Sequence, residues 1–107
     1  MENGYKCIWA VVNNGFSEEA MDAARECGAK GGTILHGRGT ASKEAEKMFD
    51  ISIQQEKEIV MILAKSGKVD AILKGLYHAI GPLTKAQGIV FALPVAETAG
   101  LGETVKK

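Results

Sequence analysis

Cysteine is scarce in this 107-residue chain: Cys7 and Cys27 alone, twenty positions apart and outside any CxxC pattern. That spacing excludes a disulfide scaffold or a redox pair, and their apolar surroundings predict two buried thiols. Histidine is equally sparse, and neither His36 nor His78 has Cys, Asp or Glu at metal-ligand spacing, so no metal site is expected. No apolar run approaches 18 residues, which argues against a membrane-spanning helix. The first residues, Met-Glu-Asn-Gly-Tyr-Lys, lack the basic and apolar regions of a signal peptide, so a cytoplasmic location is expected. Neither sign of charge dominates, with 13 basic and 13 acidic residues, and a nucleic-acid partner is therefore not expected. Proline occurs only twice, and there is no low-complexity segment.

The composition that remains is that of a single globular domain, 46% hydrophobic and 24% charged, spanning residues 1–107. A chain of this length buries roughly 65% of its unfolded surface and needs no staple. Glycine is the outlier, at 13 residues, which implies several points of positive φ or close backbone approach.

Along the chain, "YKCIWAVV" (5–12) is β-branched and aromatic and reads as a strand, ended by Asn13-Asn14-Gly15. Ser17 is placed to cap a first helix over roughly 18–27, with Glu18 and Glu19 in its first turn and Gly28 just past its end. "GGTILHG" is a second strand. "RGTASKEAEKMFD" fits either a short helix or a loop, and "FDISIQ" alternates as a strand would. "EIVMILA" is apolar on both faces, as a central strand should be. Beyond Ser66, expected to cap the second helix, Val69, Ile72, Leu73, Leu76 and Ile80 form one stripe. Gly75 interrupts that helix, consistent with close packing, and Gly81 ends it. "GIVFALPV" is the last strand, with Pro94 tolerable at its end or on an edge. Residues 96–107 form a C-terminal tail.

This order, βαββαβ, predicts an α+β, ferredoxin-like fold: a four-stranded antiparallel sheet with two helices on one face. The other sheet face is too apolar to stay wet, so an oligomer is expected. Three glycine-bearing stretches could carry a site: Gly31-Gly32-Thr33, Gly37-Arg38-Gly39-Thr40, and the loop from Gly81 through Lys85 to Gly88. Such loops turn backbone N–H groups toward an anion, and Arg38 and Lys85 add charge, which is chemistry that suits phosphate. None is a Walker A motif.

Two stretches, "GAKGGTILHGRG" and "HAIGPLTKAQGIVFALPV", resemble those of the PII and PII-like signal-transduction proteins, a family tied to nitrogen regulation. The resemblance covers roughly residues 5–95. It implies a homotrimer, not an enzyme, that binds an adenine nucleotide (AMP, ADP or ATP) or a related small molecule between subunits. No further cofactor is implied. It also implies regulation of a partner protein, of which a membrane transporter is the kind that suits a short loop after the second strand (the T-loop). By the same resemblance Gly31 and Thr33 contact the base, Gly37 and Arg38 stand at the T-loop base, and Gly81, Lys85 and Gly88 form the B-loop with Lys85 on phosphate. Three features depart from the family. The T-loop is short and lacks tyrosine, the B-loop is about two residues longer, and "AETAGLGETVKK" offers only Lys106 and Lys107 where arginines are usual. Triphosphate therefore fits less well than a shorter ligand. The alternative is an ACT-like or CutA-like module for an amino acid or metal ion. An acylphosphatase-type enzyme would need an arginine in "NNGFSEE", which has none.

Overall fold

The computed structural model describes residues 4–40, 43–49 and 55–101. In chain order these form β1 (Tyr5–Asn13), α1 (Ser17–Glu26), β2 (Thr33–Arg38), α2 (Lys43–Phe49), β3 (Glu56–Lys65), a single 3₁₀ turn (Ser66–Lys68), α3 (Val69–Ile80) and β4 (Ile89–Pro94). The strands make one antiparallel sheet in the order β2-β3-β1-β4. The long apolar strands β1 and β3 are thus central, and Pro94 sits at the end of an edge strand, where a missing N–H costs least.

Alternation divides the sheet into two faces. Ile8, Ala10 and Val12 of β1 and Val60, Ile62 and Ala64 of β3 point to the helix side and are buried. Ala20, Met21 and Ala24 of α1 and Val69, Ile72, Leu76 and Ile80 of α3 close over them. The stripe predicted for the second helix is therefore the core stripe of α3. Gly75 lies where α3 crosses α1, and a side chain there would collide with Sγ of Cys27. Its cost in helix propensity is offset by this approach.

Helix α1 ends as the sequence suggests. Gly28 has φ +109°, its N–H donates to the Arg25 carbonyl, and the Ala29 N–H donates to the Ala24 carbonyl. This pair of bonds is a Schellman motif. The helix starts need correction. Ser17 is the first residue of α1, with Phe16 at the N-cap and no capping side chain. Ser66 opens the 3₁₀ turn, and its hydroxyl donates to the Gly4 carbonyl, so α3 begins at Val69 without a side-chain cap. Both serines are held by groups distant in sequence that no local pattern reveals.

Two further expectations change. The polar stretch after β2 contains a helix, α2, so the order becomes βαβαβαβ rather than a bare βαββαβ. Phe49 ends α2 instead of starting a strand, and the remainder of "FDISIQ" lies outside the described residues, apart from Phe49. The two thiols are only partly buried. Cys7 is on the sheet face away from the helices, and Cys27 is at the C-cap of α1 against Gly75.

That second sheet face carries Trp9 and Val11 of β1, Leu35 of β2, Ile59, Met61 and Leu63 of β3, and Ile89, Phe91 and Leu93 of β4, as the register requires. Trp9 and Phe91 stack with ring centroids 5.9 Å apart. Leu35, Leu63, Ile89 and Leu93 each keep more than two-fifths of their surface exposed, so among the described residues nothing covers this face.

Candidate functional site

The register places the seven candidate residues in two groups. At one end of the sheet, the C-terminus of β1 (Asn13) lies beside the start of β3 (Lys57), and Lys57 lies beside Gly37 of β2. The loop 81–88 enters β4 at this same end, because Ile89 pairs with Val11. Gly37, Arg38, Gly81, Lys85 and Gly88 therefore share one end of the domain. Thr33 pairs with Met61, four positions along β3 from Lys57, or about 13 Å away. With Gly31 it lines a separate hollow of about 530 Å³, together with Tyr5, Met61, Lys68 and Leu101. A hollow of that size suits a small organic ligand. Gly88 also borders a shallower apolar depression of about 430 Å³ between α3 and β4, with Tyr77, His78 and Ile89. Neither hollow gathers all seven residues.

Within the shared end, β2 and β4 are opposite edges, so Arg38 and Lys85 stand roughly three strand spacings, or about 14 Å, apart. The polar groups between them belong to Asn13, Lys57 and Gln87. Lys57 Nζ donates to Asn13 Oδ1 at 2.7 Å. Asn13 Nδ2 donates to the Lys85 carbonyl at 3.0 Å and to Gln87 Oε1 at 3.2 Å. The Asn13 N–H donates to the Ala86 carbonyl at 2.9 Å. One buried asparagine thus holds three consecutive residues of the loop. The ammonium can only donate, so it fixes the amide with Oδ1 toward Lys57.

The loop is built from two successive turns, with the Thr84 N–H donating to the Gly81 carbonyl and the Gln87 N–H to the Thr84 carbonyl. Gln87 has φ +47°, the one left-handed non-glycine among the described residues. The flanking glycines are explained by contact with the end of α3. A Cβ at Gly81 would strike the Tyr77 carbonyl, and one at Gly88 would strike the Ile80 carbonyl. The Gly88 N–H donates to that same Ile80 oxygen at 2.8 Å. Both glycines permit close approach and pin the ends of the loop, while the Lys85 side chain is exposed.

Glu58 is the other residue missed. It points to the helix side and is 8% exposed. Oε1 accepts from the Gly15 N–H at 2.6 Å and the Ser17 N–H at 3.3 Å, and Oε2 accepts from the Ser17 hydroxyl at 3.1 Å. Burial pushes its pKa up, but the bonds from Gly15 and Ser17, with a smaller pull from His36, outweigh it and hold it below the ordinary value. Burial also lowers the pKa of the Lys57 ammonium. The period of "EIVMILA", which begins at Glu58, places Glu58 inside and, extended one residue back, Lys57 on the open face. Their setting in "QQEKE" reads instead as solvated charge.

No group of three or more metal-ligating side chains occurs among the described residues. Among them, no helix is long and apolar enough to cross a membrane. Lys106 and Lys107 lie outside the described residues.

Neither a protein-family model nor a curated protein sequence matches the chain. Solved structures do. PII of Arabidopsis thaliana bound to citrate superposes with a TM-score of 0.69 at 18% identity, covering 94% of this chain and 82% of that one. This is the PII fold. CPII of Thiomonas intermedia bound to ADP, AMP and acetate superposes at 0.67 with 16% identity over 89% of each chain. CPII bound to ADP, AMP and bicarbonate, described as a nitrogen regulatory PII-like protein, superposes at 0.67 with 17% identity over 91% of this chain and 96% of that one. The resemblance drawn from the loops of this sequence thus agrees with its three-dimensional neighbours in the PII and PII-like group.

Proposed function

We propose that the protein is a non-catalytic sensor, a homotrimer in the cytoplasm, that binds an adenine nucleotide between copies of the chain. Binding changes the order of the segment around α2, which regulates a partner protein such as a membrane transporter. The observation that carries this reading is the separation of the candidate residues. The base-binding group Gly31 and Thr33 and the phosphate-binding group Gly37, Arg38, Gly81, Lys85 and Gly88 are set apart along the sheet, with Thr33 and Gly37 toward opposite ends of β2. A cleft between neighbouring copies would bring one group from each chain against the other. The uncovered apolar face gives those copies a reason to associate. Nucleotides bound to CPII, a protein of the same fold, support the ligand class.

A thermal-shift series with AMP, ADP and ATP tests the reading directly, since a specific ligand raises the melting temperature by mass action. A flat response to all three would remove it. Lys85→Ala is expected to weaken ADP by about ten- to a hundredfold, because a charge-assisted hydrogen bond contributes roughly 1.5–3 kcal/mol. Stability should barely change, since the side chain is exposed and the Asn13 contact is to the Lys85 backbone. Calorimetry with ADP and with adenosine separates a phosphate contact from damage to the cleft.

The moving part is expected to be α2. Seven residues fall short of what is stable as an isolated helix, and Lys43, Glu44, Lys47 and Met48 are exposed. Its amides should exchange fastest among the three α-helices in the free protein, and protection should change with ADP. Exchange as slow as that of β3 in the absence of ligand would make α2 a fixed element.

A further inference from the structure

The hollow of about 530 Å³ beside Gly31 and Thr33 carries a charge that a neutral base does not use. Lys30 precedes Gly31, Lys65 ends β3, Lys68 ends the 3₁₀ turn, and all three line the hollow. No acidic side chain joins them among the described residues. Nor does any of the three form an ion pair there. Lys68 has a structural use of its own. A Cβ at Gly28 would lie 3.2 Å from Lys68 Cδ, and a cation beside this C-terminal end of α1 suits the helix dipole. Lys30 and Lys65 have no such role.

The backbone adds donors to the same wall. β1 runs beside β3 as far as Lys65, but β2 pairs with β3 only from Glu56 to Met61. A Cβ at Gly32 would lie 2.8 Å from the Met61 carbonyl oxygen, so Met61 turns its main-chain groups toward β2. Antiparallel alternation points those of Leu63 and Lys65 the same way, beyond the start of β2. Their N–H groups open toward the hollow, and among the described residues no backbone carbonyl accepts from them.

We infer that this hollow is a ligand site within each chain, for a small polyanion carrying more than one carboxylate or phosphate group. Three like charges around one concavity repel one another in the free protein and focus a positive potential into it. A bound anion turns that repulsion into charge-assisted hydrogen bonds, and the two main-chain N–H groups supply fixed donors. The lysines stand on three separate segments, so a molecule with several anionic groups engages them better than a single carboxylate. A hollow of this size suits a small organic molecule. The inference goes beyond the nucleotide reading and stands without it, because every group comes from one chain. Gly31 and Thr33 share the wall, so a polyanion seated here competes with the base of the nucleotide proposed above.

Succinate and inorganic pyrophosphate are suitable probes, with acetate as the monoanion control, each titrated into the full chain and followed by backbone-amide NMR. At least one probe should shift the Gly31, Leu63 and Lys65 amides along a saturating curve, with acetate without effect at the same concentration. A response to succinate marks a carboxylate ligand, and one to pyrophosphate a phosphate ligand. Lys30→Gln and Lys65→Gln should each weaken the probe by roughly three- to tenfold, and Lys65→Arg should keep most of the affinity. Both side chains are exposed, so the fold should be unchanged by circular dichroism. Lys74→Gln, an exposed change on α3 outside the hollow, should leave the curves as in the parent. Shifts confined to residues 81–88 would place the anion at the other end of the sheet and overturn the inference. So would curves unaltered by Lys30→Gln combined with Lys65→Gln, or no saturating shift at Leu63 and Lys65 with millimolar probe. Binding of ADP by that same protein would leave the nucleotide reading standing.

Discussion

Replacing Glu58 with alanine is expected to destabilise the domain by about 3 kcal/mol and to lower its melting temperature by more than ten degrees. The substitution removes the acceptor for three donors at once: the Gly15 N–H, the Ser17 N–H and the Ser17 hydroxyl. Ser17 is buried, so water cannot easily replace the carboxylate, and each orphaned buried donor costs roughly 1–3 kcal/mol. Those donors include an N–H of the first turn of α1, so the loss falls on the start of a core helix. Glu58→Gln should cost less, because an amide oxygen can keep the two backbone bonds and the serine hydroxyl can reverse its role.

The two variants also differ in acid. The Glu58 pKa is held below its unfolded value. Its contribution is therefore complete above the ordinary carboxyl range and is lost as pH falls through the lower, folded value. The parent should lose stability through that acid window, and Glu58→Gln should show a shallower acid limb with little difference in slope near neutrality. Urea unfolding of parent, Ala and Gln at several pH values measures both effects. A Glu58→Ala domain within half a kcal/mol of the parent would mean that water or a side-chain shift replaces the carboxylate.

Glu58 also shows where the sequence ceases to be readable. What periodicity controls could be anticipated: the alternation of β1 and β3, the 3.6-residue stripe from Val69 to Ile80, and Gly28 past the end of α1. Each is a local pattern answering to burial on one side. The helix starts are different. Ser17 fits a capping pattern, yet its hydroxyl goes to a carboxylate 41 residues away, and Ser66 turns to a carbonyl 62 residues away. The segment at α2 remained open because "SKEAEK" has helix propensity without an apolar face, so pattern and propensity gave different answers. At the candidate site, glycine and isolated charge picked out the stretches 37–40 and 81–88, which the sheet brings to one end of the domain. The side chains that join them are Asn13, in the Asn13-Asn14-Gly15 stretch that ends β1, and Lys57, in the charged run "QQEKE". Their bond spans 44 positions and leaves no local signature.

The same alternation supports the largest change in size that can be expected of a variant. The parent should scatter light as a particle of about three times 11.4 kDa, whereas Leu35→Lys combined with Leu93→Lys should scatter as a monomer. These leucines lie on the face opposite the helices, one on each edge strand, 41% and 44% exposed in a single chain. Placing one lysine at each edge disrupts the association whichever edge approaches a neighbour. In an isolated domain the change should be almost neutral, because both positions are wet and strand edges tolerate lysine. In an assembly that buries the face, each copy would forgo roughly 1 kcal/mol of apolar burial per leucine and would have to desolvate two like charges. Six such positions in a trimer outweigh a typical association free energy. Circular dichroism should remain that of the parent, and the nucleotide response should vanish with the oligomer, because Gly31 and Thr33 would no longer face a neighbour's Arg38 and Lys85. A parent that is monomeric at micromolar concentration would remove the shared cleft. A double variant that keeps the parent's mass would move the interface to another surface.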